Sequence, residues 1–99
     1  MKIEILESSQ KDLTDGASFY ENIEQDLGTY FLDSLFSDID SLIIYAGLHQ
    51  THSSGFLRLL AKRFPFAIYY QQETHLIKVV AVLDTRKKPA WTRKKLKVT

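Results

Sequence analysis

At 99 residues, of which 44% are hydrophobic, the chain can bury one compact core and is too short for two, so a single domain over 1–99 is predicted. It holds no cysteine, which excludes a disulfide framework and a thiolate metal site and leaves packing to supply stability. The net charge of +1 conceals a division: residues 1–50 carry two basic and ten acidic side chains, residues 51–99 eleven basic and two acidic. Net charges of −8 and +9 in the two halves point to a polyanionic or acidic partner for the second half.

The first residues, Met1 to Leu6, lack the apolar stretch and small-residue cleavage site of a secretory signal. No later run approaches the ~20 apolar residues of a membrane span, and a cytoplasmic protein is predicted. Lys2 to Leu6 alternates polar and apolar side chains, the period of a half-buried strand. Ser8 and Ser9 then offer a capping hydroxyl, and Leu13, Ala17, Tyr20 and Ile23 follow at helical spacing. Gly28 fits a helix end or a tight inter-helix joint. Beyond it Phe31, Leu32, Leu35, Phe36, Ile39, Leu42 and Ile43 form the wide apolar stripe of a heavily packed second helix. The acidic residues of both helices are read as solvated faces.

Between Ala46 and Gly55 periodicity is lost and turn-forming residues predominate, which predicts a surface loop. Three strand-like runs follow, at 56–63, 66–72 and 75–85. Pro65 cannot donate a ladder hydrogen bond and separates the first two, while 72–75 is short enough only for a hairpin. The 75–85 run is the most apolar and is predicted to be central. The chain therefore reads as α+β, in the order β-α-α-β-β-β, with two N-terminal helices on a mostly antiparallel sheet and a basic C-terminal tail.

In the first strand of that sheet Arg58, Leu60 and Lys62 share one face, and Leu57, Leu59 and Ala61 share the other, the better core candidate. Residues 86–97 hold Arg86, Lys87, Lys88, Arg93, Lys94, Lys95 and Lys97 beside the single tryptophan, Trp91. Such a segment neutralises phosphates or acidic peptide with little sequence discrimination, and its affinity falls with salt. Trp91 either stacks on a base or docks the tail against the sheet, and docking is the favoured reading. Tyr69 and Tyr70 point to opposite faces of the middle strand. His49, His52 and His75 do not form a convincing ligand set, and no glycine-rich phosphate loop, nucleophile elbow or paired-carboxylate motif is present, so no metal or cofactor is predicted.

The stretch from Phe64-Pro65-Phe66 to Tyr70, with Val79 to Pro89 and Trp91, resembles the RelE/ParE superfamily. Leu27-Gly28 with Phe31-Leu32-Asp33, and Arg58-Leu59-Leu60, extend the likeness along the whole chain. The resemblance implies the toxin of a bacterial type II toxin-antitoxin system, with two helices on a mostly antiparallel sheet. Members of the superfamily were once called plasmid stabilisation proteins, and the resemblance implies a chain that arrests growth and is neutralised by a cognate antitoxin whose acidic, partly disordered segment wraps the basic sheet. Two mechanisms are open under it. A RelE-like ribosome-dependent messenger-RNA endonuclease needs an arginine in the middle strand, another after the last strand, and a tyrosine or histidine near the C-terminus. Here Ala67 stands near the first position, Arg86 alone matches, and neither Tyr nor His follows His75. A ParE-like poison of DNA gyrase acts by binding and needs no acid-base set, so it is favoured, and a catalytic role falls to Arg86 only under the ribonuclease alternative. The predicted target or antitoxin surface is Arg58, Lys62, Arg86, Lys87, Lys88, Trp91, Arg93, Lys94 and Lys95. Asp84 and Lys88 depart from the family pattern, where His and an acidic residue are common. A protein-interaction domain without toxicity is the remaining alternative.

Overall fold

The computed structural model describes residues 1–45 and 55–97. The predicted loop, with His49 and His52, falls almost wholly outside them. The elements are β1 (Lys2–Ile5), α1 (Glu7–Ile23), α2 (Leu27–Asp40), a one-turn α3 (Leu42–Tyr45), β2 (Leu57–Leu60), β3 (Phe66–Gln72), β4 (Leu76–Asp84) and α4 (Pro89–Lys97). The strands form one sheet in the order β1-β4-β3-β2. β3 pairs antiparallel with β2 and β4, and β1 lies parallel to β4, so β4 has neighbours on both sides as its apolar run required.

The predicted α+β order thus holds, with the basic tail wound into a helix. Its amphipathic signal is thin, because Trp91, Thr92 and Leu96 are the only side chains of α4 that are buried or half-buried. Helices α1 and α2 cover one face of the sheet, where Leu13, Tyr20, Phe31, Leu35 and Ile39 pack on Phe66, Ile68, Tyr70, Ile77, Val79 and Val82. On the other face Leu96 of α4 joins Ala67, Tyr69, Val80, Ala81 and Leu83, with Trp91, Leu6 and Phe56 alongside. Tyr69 and Tyr70 do face opposite ways, and both are buried.

A bulge explains how β4 serves both layers. The β3–β4 register passes from Tyr69↔Ala81 to Tyr70↔Val79, so Val80 is an extra residue. Ile77 and Val79 face the helices before it and Val82 after it, whereas Val80 and Ala81 face α4. One inserted residue therefore reverses the parity of the strand.

Helices α1 and α2 approach closely through glycine. A Cβ at Gly28 would lie 2.6 Å from the Ala17 carbonyl oxygen, and one at Gly16 would lie 2.6 Å from Cζ of Phe31. The joint precedes Gly28: α1 ends at Ile23 with Glu24 as its C-cap, Asp26 adopts a left-handed φ of 70°, and Glu21 accepts the N–H groups of Asp26 and Gly28 at 3.0 and 2.9 Å. The predicted second-helix stripe is partly corrected, because the chain breaks at Ser41 and leaves Phe36 and Ile43 exposed.

In the buried face of α2, Ser34 is the one fully buried side-chain polar group without a hydrogen-bond partner among the described residues. Ser34→Ala removes an uncompensated hydroxyl and favours the helix, so a stability gain of about 1 kcal/mol is expected. Urea unfolding checks it, and a lower midpoint would contradict it.

Candidate functional site

The carboxylates of the helices do more than meet solvent, which corrects the sequence reading. β1 stops at the level of Val79, and beyond that point α1 supplies side chains where a further strand would have bonded β4. Ser9 donates to the Val79 carbonyl at 2.9 Å, Ser8 donates to the Val80 carbonyl at 3.0 Å, and the Asp12 carboxylate accepts the Val82 N–H at 3.0 Å. The serines expected to cap α1 thus tie it to the strand edge instead, and its N-cap position is Leu6, which makes no side-chain cap. Asp38, buried in α2, accepts the Lys62 N–H at 3.1 Å. These partners lie 24 to 72 residues apart, so local pattern gave no sign of them.

Burial raises the Asp12 carboxyl above its ordinary 3.8, opposed by the Val82 N–H and by the Lys95 charge. A carboxyl with a raised native value favours folding fully below its unfolded pKa. That contribution is lost as pH climbs from about 3.8 through the raised value. Asp12→Asn keeps an oxygen for Val82 and removes the buried charge, so its stability relative to the parent should improve on going from pH 3 to pH 7. Asp12→Ala should cost about 1–3 kcal/mol by orphaning the N–H. Denaturant titrations at the two pH values decide both.

The bared edge of β4 opens a groove of about 470 Å³ between α1 and α4. Asp12, Asp15, Gly16 and Phe19 form one wall, Phe66, Val82 and Leu83 the floor, and Arg86, Lys87, Trp91 and Lys95 the other wall. Trp91 packs against the α4 side of the sheet while the ammonium groups of Lys87 and Lys95 lie 5.7 and 5.5 Å from its ring centre. Arg86 is not free in this wall. It holds Asp84 through Nη2 at 2.8 Å and Nε at 3.1 Å, and its own N–H donates to the same carboxylate at 2.8 Å. Those bonds press the Asp84 carboxyl below its ordinary value and raise Arg86. The sign is opposite to that of Asp12: stability from Asp84 is present above 3.8 and lost as pH falls through the depressed native value.

A second, smaller pocket of about 150 Å³ lies around the start of α4, lined by Arg58 of β2, Tyr69 of β3, Thr85, Lys87, Pro89, Thr92 and Arg93. Of the predicted surface, Arg58, Lys87 and Arg93 therefore meet here, and Arg86, Lys87, Trp91 and Lys95 meet in the groove. Lys62, Lys88 and Lys94 are exposed and line neither. Among the described residues the ion pairs are Lys11–Asp15, Lys78–Glu73 and Arg86–Asp84. Apart from Arg86, none of the predicted surface cations is paired with a carboxylate there. Ala67, near the position where the resemblance calls for an arginine, is fully buried against the α4 side. No helix among the described residues is long and apolar enough to cross a membrane.

No family model matches this chain. No curated protein matches it. Its fold is shared with a solved chain described as "Chromosomal ParDE TA system from P. aeruginosa". The TM-score is 0.80 over 87% of this chain and 97% of that one, at 14% sequence identity. The fold that the resemblance implies, two helices on a mostly antiparallel sheet, is thus the fold observed.

Proposed function

We propose that this chain is the toxin of a type II toxin-antitoxin pair. It arrests growth by binding DNA gyrase, and a cognate antitoxin with an acidic, partly disordered segment neutralises it. The fold shared with a chain of a ParDE system supports the toxin class. The observation that carries the binding mechanism is the contrast between cations and chemistry at α4. Arg58, Lys87 and Arg93 converge on one pocket without carboxylate partners among the described residues, whereas the groups needed to cut RNA are missing or engaged. Ala67 has no side chain able to neutralise a phosphate, and Arg86 is committed to Asp84. Lysines stay protonated near neutral pH and do not replace a general base. A cationic pocket whose lining holds neither a carboxylate nor an imidazole suits capture of an acidic or polyanionic partner.

Induced expression tests the class. The chain alone should stop colony growth, and co-expression of the neighbouring reading frame should restore it. Unimpaired growth with the chain alone would favour an interaction domain without toxicity.

A further inference from the structure

The small pocket at the start of α4 joins three cations from separate parts of the chain: Arg58 on β2, Lys87 in the turn after β4, and Arg93 on α4. Like charges gathered in a concavity repel one another, and an anion lodged among them relieves that repulsion. The only acidic side chain in residues 74–97 is Asp84, and Arg86 already holds it. It does not line the pocket, and of the three cations only Lys87 acts on its charge. Thr92, on the first turns of α4, also lines the pocket, and the Thr85 hydroxyl is spent on the Pro65 carbonyl at 3.0 Å. At about 150 Å³ the space admits one tetrahedral oxyanion.

We infer that this pocket is a phosphate-binding site, in which Arg58, Lys87 and Arg93 hold the phosphate group of a nucleic-acid backbone or of a free nucleotide. Two arginines suit it, because the guanidinium fork matches phosphate oxygens pairwise. Exposed Lys88, Lys94 and Lys95 extend the positive surface beyond the pocket, which favours the backbone of a longer nucleic acid over an isolated phosphate. The site holds phosphate without cleaving it, and the inference stands whether or not gyrase is the target.

Amide NMR titrations of the whole chain with inorganic phosphate, with ATP and with a short DNA duplex test it. All three should shift resonances around Thr85, Lys87 and Arg93. Arg93→Gln and Arg58→Gln should each weaken duplex binding about tenfold or more and lower the slope against log salt by about one. Arg63→Gln, an exposed base outside the pocket, should change neither the phosphate-induced shifts nor the loss on Arg93→Gln. Because Arg58 is half-buried, the exposed Arg93 carries the decision if Arg58→Gln unfolds. Tight duplex binding assigns the backbone as source, and preference for ATP assigns a free nucleotide. Shifts scattered evenly over all basic residues, or stronger binding of a poly-glutamate peptide than of phosphate and duplex, would overturn the site.

Discussion

A chain carrying Lys87→Glu and Arg93→Glu is expected to fold as the parent does and to lose growth arrest. Both side chains are exposed, and neither is in an ion pair among the described residues, so the unfolding free energy should stay within about 0.5 kcal/mol of the parent. Reversal puts two carboxylates where an acidic partner docks, and like charges in contact cost several kcal/mol. Target affinity should therefore fall by about 100-fold or more. Colony counts after induction and a urea titration of the purified variant measure the two halves of this statement. Undiminished arrest from a folded variant would remove α4 from the acting surface.

The largest loss of stability is expected at Phe31. Its ring is wholly buried, stacked on Tyr20 at 5.2 Å between centroids and edge-on to Phe64 and Phe66 at 5.0 Å each. This aromatic cluster joins α1 and α2 to the segment around Pro65, so Phe31→Ala should cost about 3–5 kcal/mol. Gly16 leaves room for the ring, and Gly16→Ala in the parent forces a Cβ against it at a cost of about 1–3 kcal/mol. In the Phe31→Ala background the same methyl enters vacated space, so the two losses should fall short of additive by about 0.5–3 kcal/mol. Chemical denaturation of the four species measures this coupling, and strict additivity would mean that the contact does not constrain the pair.

Much of this fold was legible because its signals are local. The alternation at Lys2–Ile5, the 3.6-residue spacing from Leu13 to Tyr20, Pro65 and the apolar run of β4 each name an element by themselves. What escaped depends on distant pairing. The half-buried role of Asp12 exists only because β1 ends early and bares the Val82 N–H seventy residues away. The bulge at Val80 lies inside an apolar run whose pattern reads the same with or without it. From the sequence α4 reads as a tail, because basic side chains surround its few packing residues. The cations of the site are legible from strand alternation at Arg58 and Lys62 and from the basic run 86–97, but only the fold shows that Arg58 sits with Lys87 and Arg93 while Lys62 stands apart.

The most direct test of the account is a supercoiling assay with purified gyrase and relaxed plasmid, run beside a ribosome-programmed messenger-cleavage reaction. The chain should inhibit gyrase, added salt should weaken the inhibition, and the messenger should stay intact. Messenger cleavage with gyrase left unaffected would contradict the account.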